Sequence, residues 1–138
     1  MEKNRTIKFR GKVKYNGNHK FSGDWIYGYY RSNENGNGFI TETLDEMDNY
    51  IFDETEIDEN TVGQFTGLKD KNGVEIYEGD ILSVQMYNKE YENYYVIFED
   101  GEYYATNKED TNFISNDVFK EAKIIGNIYD NPELLENT

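Results

Sequence analysis

The sequence predicts a mainly β protein whose short antiparallel strands form a small barrel or sandwich. Apolar and basic side chains alternate from residue 7 to residue 14, which is the period of a strand with one buried face. Two runs rich in aromatic and β-branched residues flank Asp100-Gly101. An Asp-Gly pair between two β-rich segments is a strong hairpin signal. No long segment spaces its apolar residues as a helix does. These observations favour strands joined by tight turns.

The N-terminal part of the chain continues this pattern. Asn16-Gly17 predicts a turn after the first strand, because both residue types tolerate a positive φ. Residues 25–30 predict a second strand, since bulky aromatic side chains suit a pleated surface. Two Asn-Gly pairs within residues 32–38 precede an extended run at 39–41, so we expect a hairpin there.

The segment from residue 43 to residue 60 allows two interpretations. Leu44, Met47 and Ile51 are spaced by three and four, which is compatible with one short helix. Residues 50–52 fit a strand equally well. The sequence leaves both open.

The C-terminal part predicts more strands and one helical turn. The strands are expected at residues 80–84, 94–98, 103–106 and 123–129. Glu78-Gly79-Asp80 resembles the lead into the first strand of SH3-like barrels, and Asp80 is placed to cap the turn before it. Asn131 as N-cap and Pro132 at the first helical position predict a short C-terminal helix.

Length and composition predict how these elements are organised. A chain of 138 residues is long enough for one domain with its own core. We expect an N-terminal β segment at 1–60 with an acidic insert at 42–60, and an SH3-like β-barrel half at 61–138, within one compact unit. Because Leu, Ile and Val are few while 16% of the residues are aromatic, Tyr and Phe are expected to form the core.

Charge is distributed unevenly along the chain. There are 14 basic and 28 acidic residues, a formal net charge of −14. Residues 1–20 carry seven bases against Glu2 alone, a net of +6, so the other 118 residues carry −20. Nine acids and no base lie within 42–59: Glu42, Asp45, Glu46, Asp48, Asp53, Glu54, Glu56, Asp58 and Glu59. We expect the basic strand to lie beside this acidic segment, either of the same chain or of a neighbouring subunit.

The sequence contains few groups for catalysis or metal binding. Cysteine is absent, which excludes disulfides, thiolate catalysis and Cys-ligated zinc. His19 is the single histidine and lies in a Gly- and Asn-rich stretch, so we interpret it as a loop residue. No nucleotide-binding glycine motif is present, and residues 70–73 predict a turn rather than a calcium loop. We therefore predict a protein that is not an enzyme and has no cofactor and no metal.

The hydropathy pattern gives no indication of a membrane segment. No run approaches 18 apolar residues, and the N-terminus has no apolar stretch of the kind found in signal peptides. We therefore expect a soluble protein that is not secreted and does not bind membranes.

Three parts of the chain resemble the YopX family, small proteins of bacteriophages and prophages of Gram-positive bacteria. Residues 61–82 read TVGQFTGLKDKNGVEIYEGDIL and resemble the signature of that family. Residues 7–11 with 25–28, and residues 125–134, are similar to it in the expected order. The resemblance implies a mainly β phage or prophage protein in the host bacterial cytoplasm, and it implies no reaction. The chain departs from the family where a Pro often precedes the signature, since residues 57–60 lack one, and the acidic insert is longer.

Two groups of residues are candidates for binding. Gln64, Thr66 and Asp70 have polar heads that a skeleton of strands and glycine turns does not obviously need. Trp25 and Tyr27 are aromatic residues of the second strand, of the kind that stack on bases or sugars or pack in protein interfaces.

The function that we predict is a non-enzymatic adaptor that binds proteins or assembles with itself. The expected partners are further copies of this chain and a host or phage protein. One alternative is an acidic DNA mimic that inhibits a host DNA-binding protein, since the chain is strongly negative. Another is a single-strand nucleic-acid binder that uses the basic N-terminal strand, which we favour less. The abundance of carboxylates also leaves a hydrolase or a cation-dependent enzyme open.

Overall fold

The computed structural model describes residues 6–14, 23–42, 54–109 and 112–136, which form eleven β-strands and three 3₁₀ helices. The strands are β1 (Phe9–Lys12), β2 (Trp25–Ser32), β3 (Gly38–Glu42), β4 (Glu54–Ile57), β5 (Gly63–Lys69), β6 (Glu75–Tyr77), β7 (Asp80–Gln85), β8 (Tyr91–Glu99), β9 (Glu102–Thr106), β10 (Phe113–Ser115) and β11 (Lys123–Asn127). The 3₁₀ helices span Glu59–Thr61, Asn116–Glu121 and Pro132–Leu135. The predicted turn at Asn16-Gly17, His19 and both interpretations of residues 43–53 lie outside the described residues.

The chain divides into two compact units, Met1–Gln64 and Phe65–Thr138. The sequence placed the corresponding boundary between residues 60 and 61. The first two residues of β5 belong to the first unit and the rest of that strand belongs to the second.

The first unit is built on antiparallel strands in the order β4-β3-β2-β1-β5. The predicted hairpin after the second strand is confirmed, because Ser32 pairs with Gly38 across the turn. Strand β1 pairs with β2 on one side and with the start of β5 on the other. A single bridge joins Val13, just after β1, to Ile57 of β4, so this sheet curls until its far edge meets the end of β1.

Alternation along these strands builds a small aliphatic core in the first unit. Its buried members are Val13, Ile26, Ile40 and Ile57. Gly28 permits the close approach of β3 to β2, since a Cβ at this position would lie 2.0 Å from the Thr41 carbonyl oxygen. The residues that alternate with the core positions on β2 point away from it and include exposed Tyr27 and Tyr29.

The second unit contains an antiparallel sheet in the order β10-β9-β8-β7-β11, and β5 pairs there with β6. The hairpin predicted at Asp100-Gly101 is confirmed, since Glu99 pairs with Glu102 across this two-residue loop. Both loop residues have positive φ, 54° for Asp100 and 84° for Gly101, which is the requirement of a type I′ turn.

The core of the second unit corrects the expectation of an aromatic core. Its buried cluster consists of Ile76, Leu82, Val84, Tyr94, Val96, Ala105, Phe119 and Ala122. Six of these eight residues are aliphatic, and most tyrosines of the described strands keep part of their surface exposed. The phenol hydroxyl explains this, because a Tyr buried completely needs a hydrogen-bond partner while an aliphatic side chain does not.

Two predicted caps have different outcomes. Asp80 does cap the preceding turn, because its Oδ2 accepts a hydrogen bond from the Tyr77 backbone N–H at 2.7 Å. Pro132 begins a 3₁₀ helix and Asn131 stands at its N-cap position, both as expected, but the Asn131 side chain makes no capping hydrogen bond. The Oδ1 of Asn131 instead accepts the backbone N–H of Asn127, which ties the helix back to the end of β11.

The prediction of a mainly β fold is confirmed. Most of the described residues in regular secondary structure belong to strands. The two sheets are antiparallel, and neither closes into a barrel within the described part of the chain. The SH3-like character of the C-terminal half stays a prediction. No helix in the described segments is long and apolar enough to span a bilayer.

Candidate functional site

The second unit has an open cleft of about 360 Å³ beside the β8–β9 hairpin, which we call the acidic–aromatic cleft. Its lining residues come from the hairpin and from β10: Glu99, Asp100, Glu102, Tyr104, Phe113, Ile114 and Ser115. Three of the seven side chains are carboxylates, and none is basic. The cleft therefore combines negative charge with aromatic and aliphatic surface.

Local backbone rules position these residues. The type I′ turn brings Glu99 directly opposite Glu102, with Asp100 at the tip between them. Pairing of β9 with β10 then places Ser115 opposite Tyr104. Ile114 packs against the core of the second unit, which fixes the part of β10 that lines the cleft.

The aromatic members of the cleft contact one another and one of its carboxylates. The Tyr104 hydroxyl donates a hydrogen bond to Oε1 of Glu99 at 2.7 Å. The Tyr104 and Phe113 rings meet edge to face, with centroids 5.5 Å apart and an interplanar angle of 72°. Phe113 nevertheless remains 57% exposed, so this cleft offers apolar surface to a ligand.

The negative charge of the cleft also acts on Tyr104. The hydrogen bond to Glu99, with burial and the neighbouring carboxylates, raises the pKa of Tyr104 to about 12. The Tyr104 phenol is protonated at neutral pH and, as the hydrogen-bond donor, orients the Glu99 carboxylate. A ligand that suits these groups is cationic and has an apolar or planar portion that packs on a ring.

The first unit carries a second surface of interest, which we call the aromatic–basic face: Lys12, Trp25, Tyr27 and Tyr29, with the buried Arg10 packed against Trp25. Arg10 pairs with Tyr27, and Lys12 pairs with Trp25, across β1 and β2. The Arg10 Cζ lies 4.6 Å from the centroid of the Trp25 ring, and the Lys12 Nζ lies 5.9 Å from it. Tyr27 is 45% exposed and Tyr29 is 63% exposed. The two aromatic residues that the sequence singled out, Trp25 and Tyr27, thus lie on one face of β2.

The predicted binding residues Gln64 and Thr66 both lie on β5. Gln64 is half-buried and pairs with Phe9 of β1 in the first unit. The Thr66 hydroxyl donates to the Ile76 carbonyl at 2.8 Å and accepts the Leu68 N–H at 3.1 Å. These two bonds hold the irregular stretch where the β5–β6 register shifts. Binding by either residue stays a prediction.

Asp70, the third predicted residue of this group, is buried and holds backbone together. Its Oδ1 accepts the N–H groups of Asn72 and Val74, and its Oδ2 accepts the N–H of Ile124 at 3.0 Å. Burial by itself would raise the pKa of Asp70, but the bonds from Ile124, Val74 and Asn72 lower it below its ordinary value. The turn predicted at residues 70–73 is confirmed by the hydrogen bond from the Gly73 N–H to the Asp70 carbonyl, and of Asn72 and Gly73 only Gly73 has a positive φ.

Part of the acidic segment lies beside the basic strand of the same chain, which is one of the two arrangements that the charge pattern predicts. Lys14 forms an ion pair with Glu56 at 3.3 Å. Arg31 binds both oxygens of Glu54, and this bidentate contact lowers the pKa of the carboxyl. Residues 43–53, which hold other acids of the segment, lie outside the described residues. Within the described parts of the chain, no group of three or more acidic or histidine side chains is arranged to hold a metal ion.

Comparison with known proteins identifies the family. The model of the YopX protein family matches residues 8–136, nearly the whole chain. The chain belongs to the YopX family. A solved structure similar to this YopX family member is that of protein EF1440 from Enterococcus faecalis, with 25% sequence identity and a TM-score of 0.53. The similarity covers 96% of this chain and 99% of that one. No curated protein matches this chain significantly.

Sequence reasoning did not single out the cleft of this YopX family member. It identified the hairpin that carries Glu99, Asp100 and Glu102, but it interpreted these residues only as part of a turn. Phe113 lies nine residues after Tyr104 in the sequence, and only the β9–β10 pairing brings the two rings together. A signal was present, because three acids surround one glycine at a loop tip, where exposed charge is expected.

Proposed function

We propose that this YopX family member is a non-enzymatic protein-binding module that binds a basic segment of its partner in the acidic–aromatic cleft. The observation that carries the proposal is the cleft itself, in which Glu99, Asp100 and Glu102 border the exposed ring of Phe113. Lys and Arg side chains match this arrangement, because they place a charge at the carboxylates while their aliphatic stems pack on apolar surface.

The family and the composition support the rest of the proposed role. The chain has one histidine and no cysteine, which supports a binding role rather than catalysis. We further propose that this chain is a phage or prophage accessory protein that acts in the cytoplasm of a bacterial host. Its partner is a host or phage protein, or a second copy of this chain.

The test compares three proteins on a matrix: the wild type, a cleft variant and a charge-matched control. The cleft variant carries Glu99→Gln, Asp100→Asn and Glu102→Gln. The control carries Glu34→Gln, Glu90→Gln and Glu121→Gln, which neutralise three exposed carboxylates outside the cleft. Each immobilised protein is tested first with a synthetic peptide that has three Lys and three Arg separated by Gly, and then with host lysate.

We expect the wild type and the control to bind the peptide, and the cleft variant to bind it at least about tenfold more weakly. The same lysate proteins should be retained by the first two and lost from the third. Equal retention by all three proteins would contradict the proposal. Native mass of the wild type, measured alone, distinguishes a second copy from a different partner.

A second candidate function rests on the aromatic–basic face of the first unit. Trp25 lies near two cations, the buried Arg10 and Lys12, and Tyr27 and Tyr29 are exposed on the same strand. Single-strand nucleic-acid sites combine such rings with positive charge. Binding of a labelled oligothymidylate at low salt, steeply weakened by added salt and by Tyr27→Ala with Tyr29→Ala, is the expected result. Absence of binding at low salt would exclude it.

A further inference from the structure

We propose that the acidic–aromatic cleft is an arginine-selective subsite, in which a partner's guanidinium group binds a carboxylate and stacks on Phe113. This inference rests on the proposed function and specifies the residue that the partner supplies.

The first unit contains a contact of this kind, made by Arg31. Arg31 donates from Nε to Oε2 of Glu54 at 2.5 Å and from Nη2 to Oε1 at 2.7 Å. Its Cζ lies 4.6 Å from the centroid of the Phe39 ring. In this chain, one carboxylate and one phenylalanine ring on neighbouring strands thus contact the same exposed arginine, which β2 places opposite the ring.

The cleft offers the same two groups without an arginine of its own among its lining residues. Phe113 supplies the exposed ring, and Glu99 supplies a carboxylate that the Tyr104 hydroxyl already orients at 2.7 Å. That bond occupies one acceptor position of Oε1 and leaves Oε2 for a donor. Glu102, opposite Glu99 across the hairpin, provides a second carboxylate on the same border.

Rigidity of the hairpin makes this arrangement selective. The type I′ turn fixes the separation of Glu99 and Glu102, and the edge-to-face contact with Tyr104 restricts the Phe113 ring. A guanidinium is planar and has five donors in a fixed fork, so it can satisfy a carboxylate in two bonds and stack on a ring together. A Lys ammonium is a point charge that gains less from the ring.

The experiment titrates the full-length, ¹⁵N-labelled protein with three capped tripeptides. Acetyl-Gly-Arg-Gly-amide is the test, acetyl-Gly-Lys-Gly-amide has the same charge, and acetyl-Gly-citrulline-Gly-amide has the shape of arginine without the charge. The readout is the shift of the backbone amide signals of Gly101, Phe113 and Ile114. We expect the Arg peptide to bind about fivefold more tightly than the Lys peptide, and the citrulline peptide to bind at least about tenfold more weakly than the Arg peptide.

A pair of variants isolates the ring. Phe113→Leu keeps apolar bulk but removes the aromatic face, and it should reduce the preference for Arg over Lys to less than about twofold. Phe98→Leu removes an exposed phenylalanine of β8 that does not line the cleft, and it should leave the preference unchanged.

The outcomes separate the two proposals. Equal affinity for the Arg and Lys peptides would overturn arginine selectivity and leave the basic-segment module standing. If neither cationic peptide shifts the cleft signals at millimolar concentration, both proposals fail. Retention of the Arg preference in Phe113→Leu would overturn the stacking contact.

Discussion

Asp70 shows how one buried carboxylate joins parts of the second unit that are distant in the sequence. Its two oxygens accept three backbone N–H groups, two from the turn that follows β5 and one from Ile124 of β11. The carboxylate thus replaces the water that hydrates these donors in the unfolded chain.

Replacing Asp70 with Asn should lower the free energy of unfolding by about 1–3 kcal/mol, because an amide removes the charge and can turn only one acceptor toward the backbone. Urea unfolding followed by circular dichroism measures the loss, and faster hydrogen exchange of the Ile124 amide locates it. Asp117→Asn, at an exposed position of the same unit, is the control. Equal stability of the two variants would contradict the role assigned to Asp70.

The same carboxylate makes stability depend on acid pH. Since folding lowers the pKa of Asp70, the unfolded chain binds this proton more tightly than the folded chain does. The stabilisation is therefore fully present above the ordinary Asp pKa of about 4 and is lost as pH falls through the lowered value. We expect the difference between wild type and Asp70→Asn to shrink on acidification below about pH 4. A difference that is constant with pH would mean that the Asp70→Asn variant loses stability for steric reasons alone.

Tyr104 is the residue that reports most directly on the cleft. Its pKa of about 12 is caused first by the hydrogen bond to Glu99, so Glu99→Gln should return the pKa toward the ordinary value of about 10. The absorbance at 295 nm, recorded against pH, should then rise near pH 10 by the amount of one more ionised tyrosine than in the wild type. Tyr94, whose pKa is raised to about 12 by burial and by Glu92, should still titrate late in both proteins. An unchanged titration curve would show that Glu99 does not contact the phenol in solution.

At the scale of secondary-structure elements, the β8–β9 hairpin determines both the sheet of the second unit and the border of its cleft. A Cβ added at Gly101 would meet nothing within 4 Å, so the requirement for glycine there is conformational rather than steric. The φ of 84° is the cause, since residues with a Cβ rarely adopt it.

Gly101→Val should therefore destabilise the protein by about 1–3 kcal/mol, because a β-branched residue strongly resists a positive φ. The measurement is the urea midpoint, compared with Asp100→Asn, which places at the neighbouring position a residue that tolerates positive φ. We expect the Asn variant to match the wild type. A Gly101→Val protein as stable as the wild type would mean that the turn adopts a different type in solution.

At the scale of the whole molecule, the dominant property is the net charge of −14. Ion pairs such as Lys14–Glu56 and Arg31–Glu54 neutralise some acids locally, but they are exposed and each contributes little to stability. Repulsion among the excess carboxylates opposes the folded state and is reduced by salt.

Raising NaCl from about 20 to about 200 mM at pH 7 should therefore raise the melting temperature by a few degrees. Sucrose at equal osmolality is the control, because it is excluded from the protein surface without screening charge. A melting temperature that falls with salt would mean that attractive pairs outweigh the repulsion.

Local patterns in the sequence predict the fold class of this protein and many of its strands. Period-two alternation predicted β1, the Asn-Gly pairs predicted the β2–β3 hairpin, and Asp100-Gly101 predicted the β8–β9 turn. These features are local, since a strand's period and a turn's φ values depend on residues within a few positions of one another.

The choice of residues for the core and the candidate sites depends on how the strands pair and pack. Composition suggested an aromatic core, whereas packing selected aliphatic residues and left Tyr27, Tyr29 and Phe113 exposed. The hydrogen bond from Ile124 to Asp70 and the ring contact between Tyr104 and Phe113 each connect residues that are separated along the chain. Such contacts depend on which strands pair. The alternation within each strand can be recognised in one sequence, but the strand that it pairs with cannot.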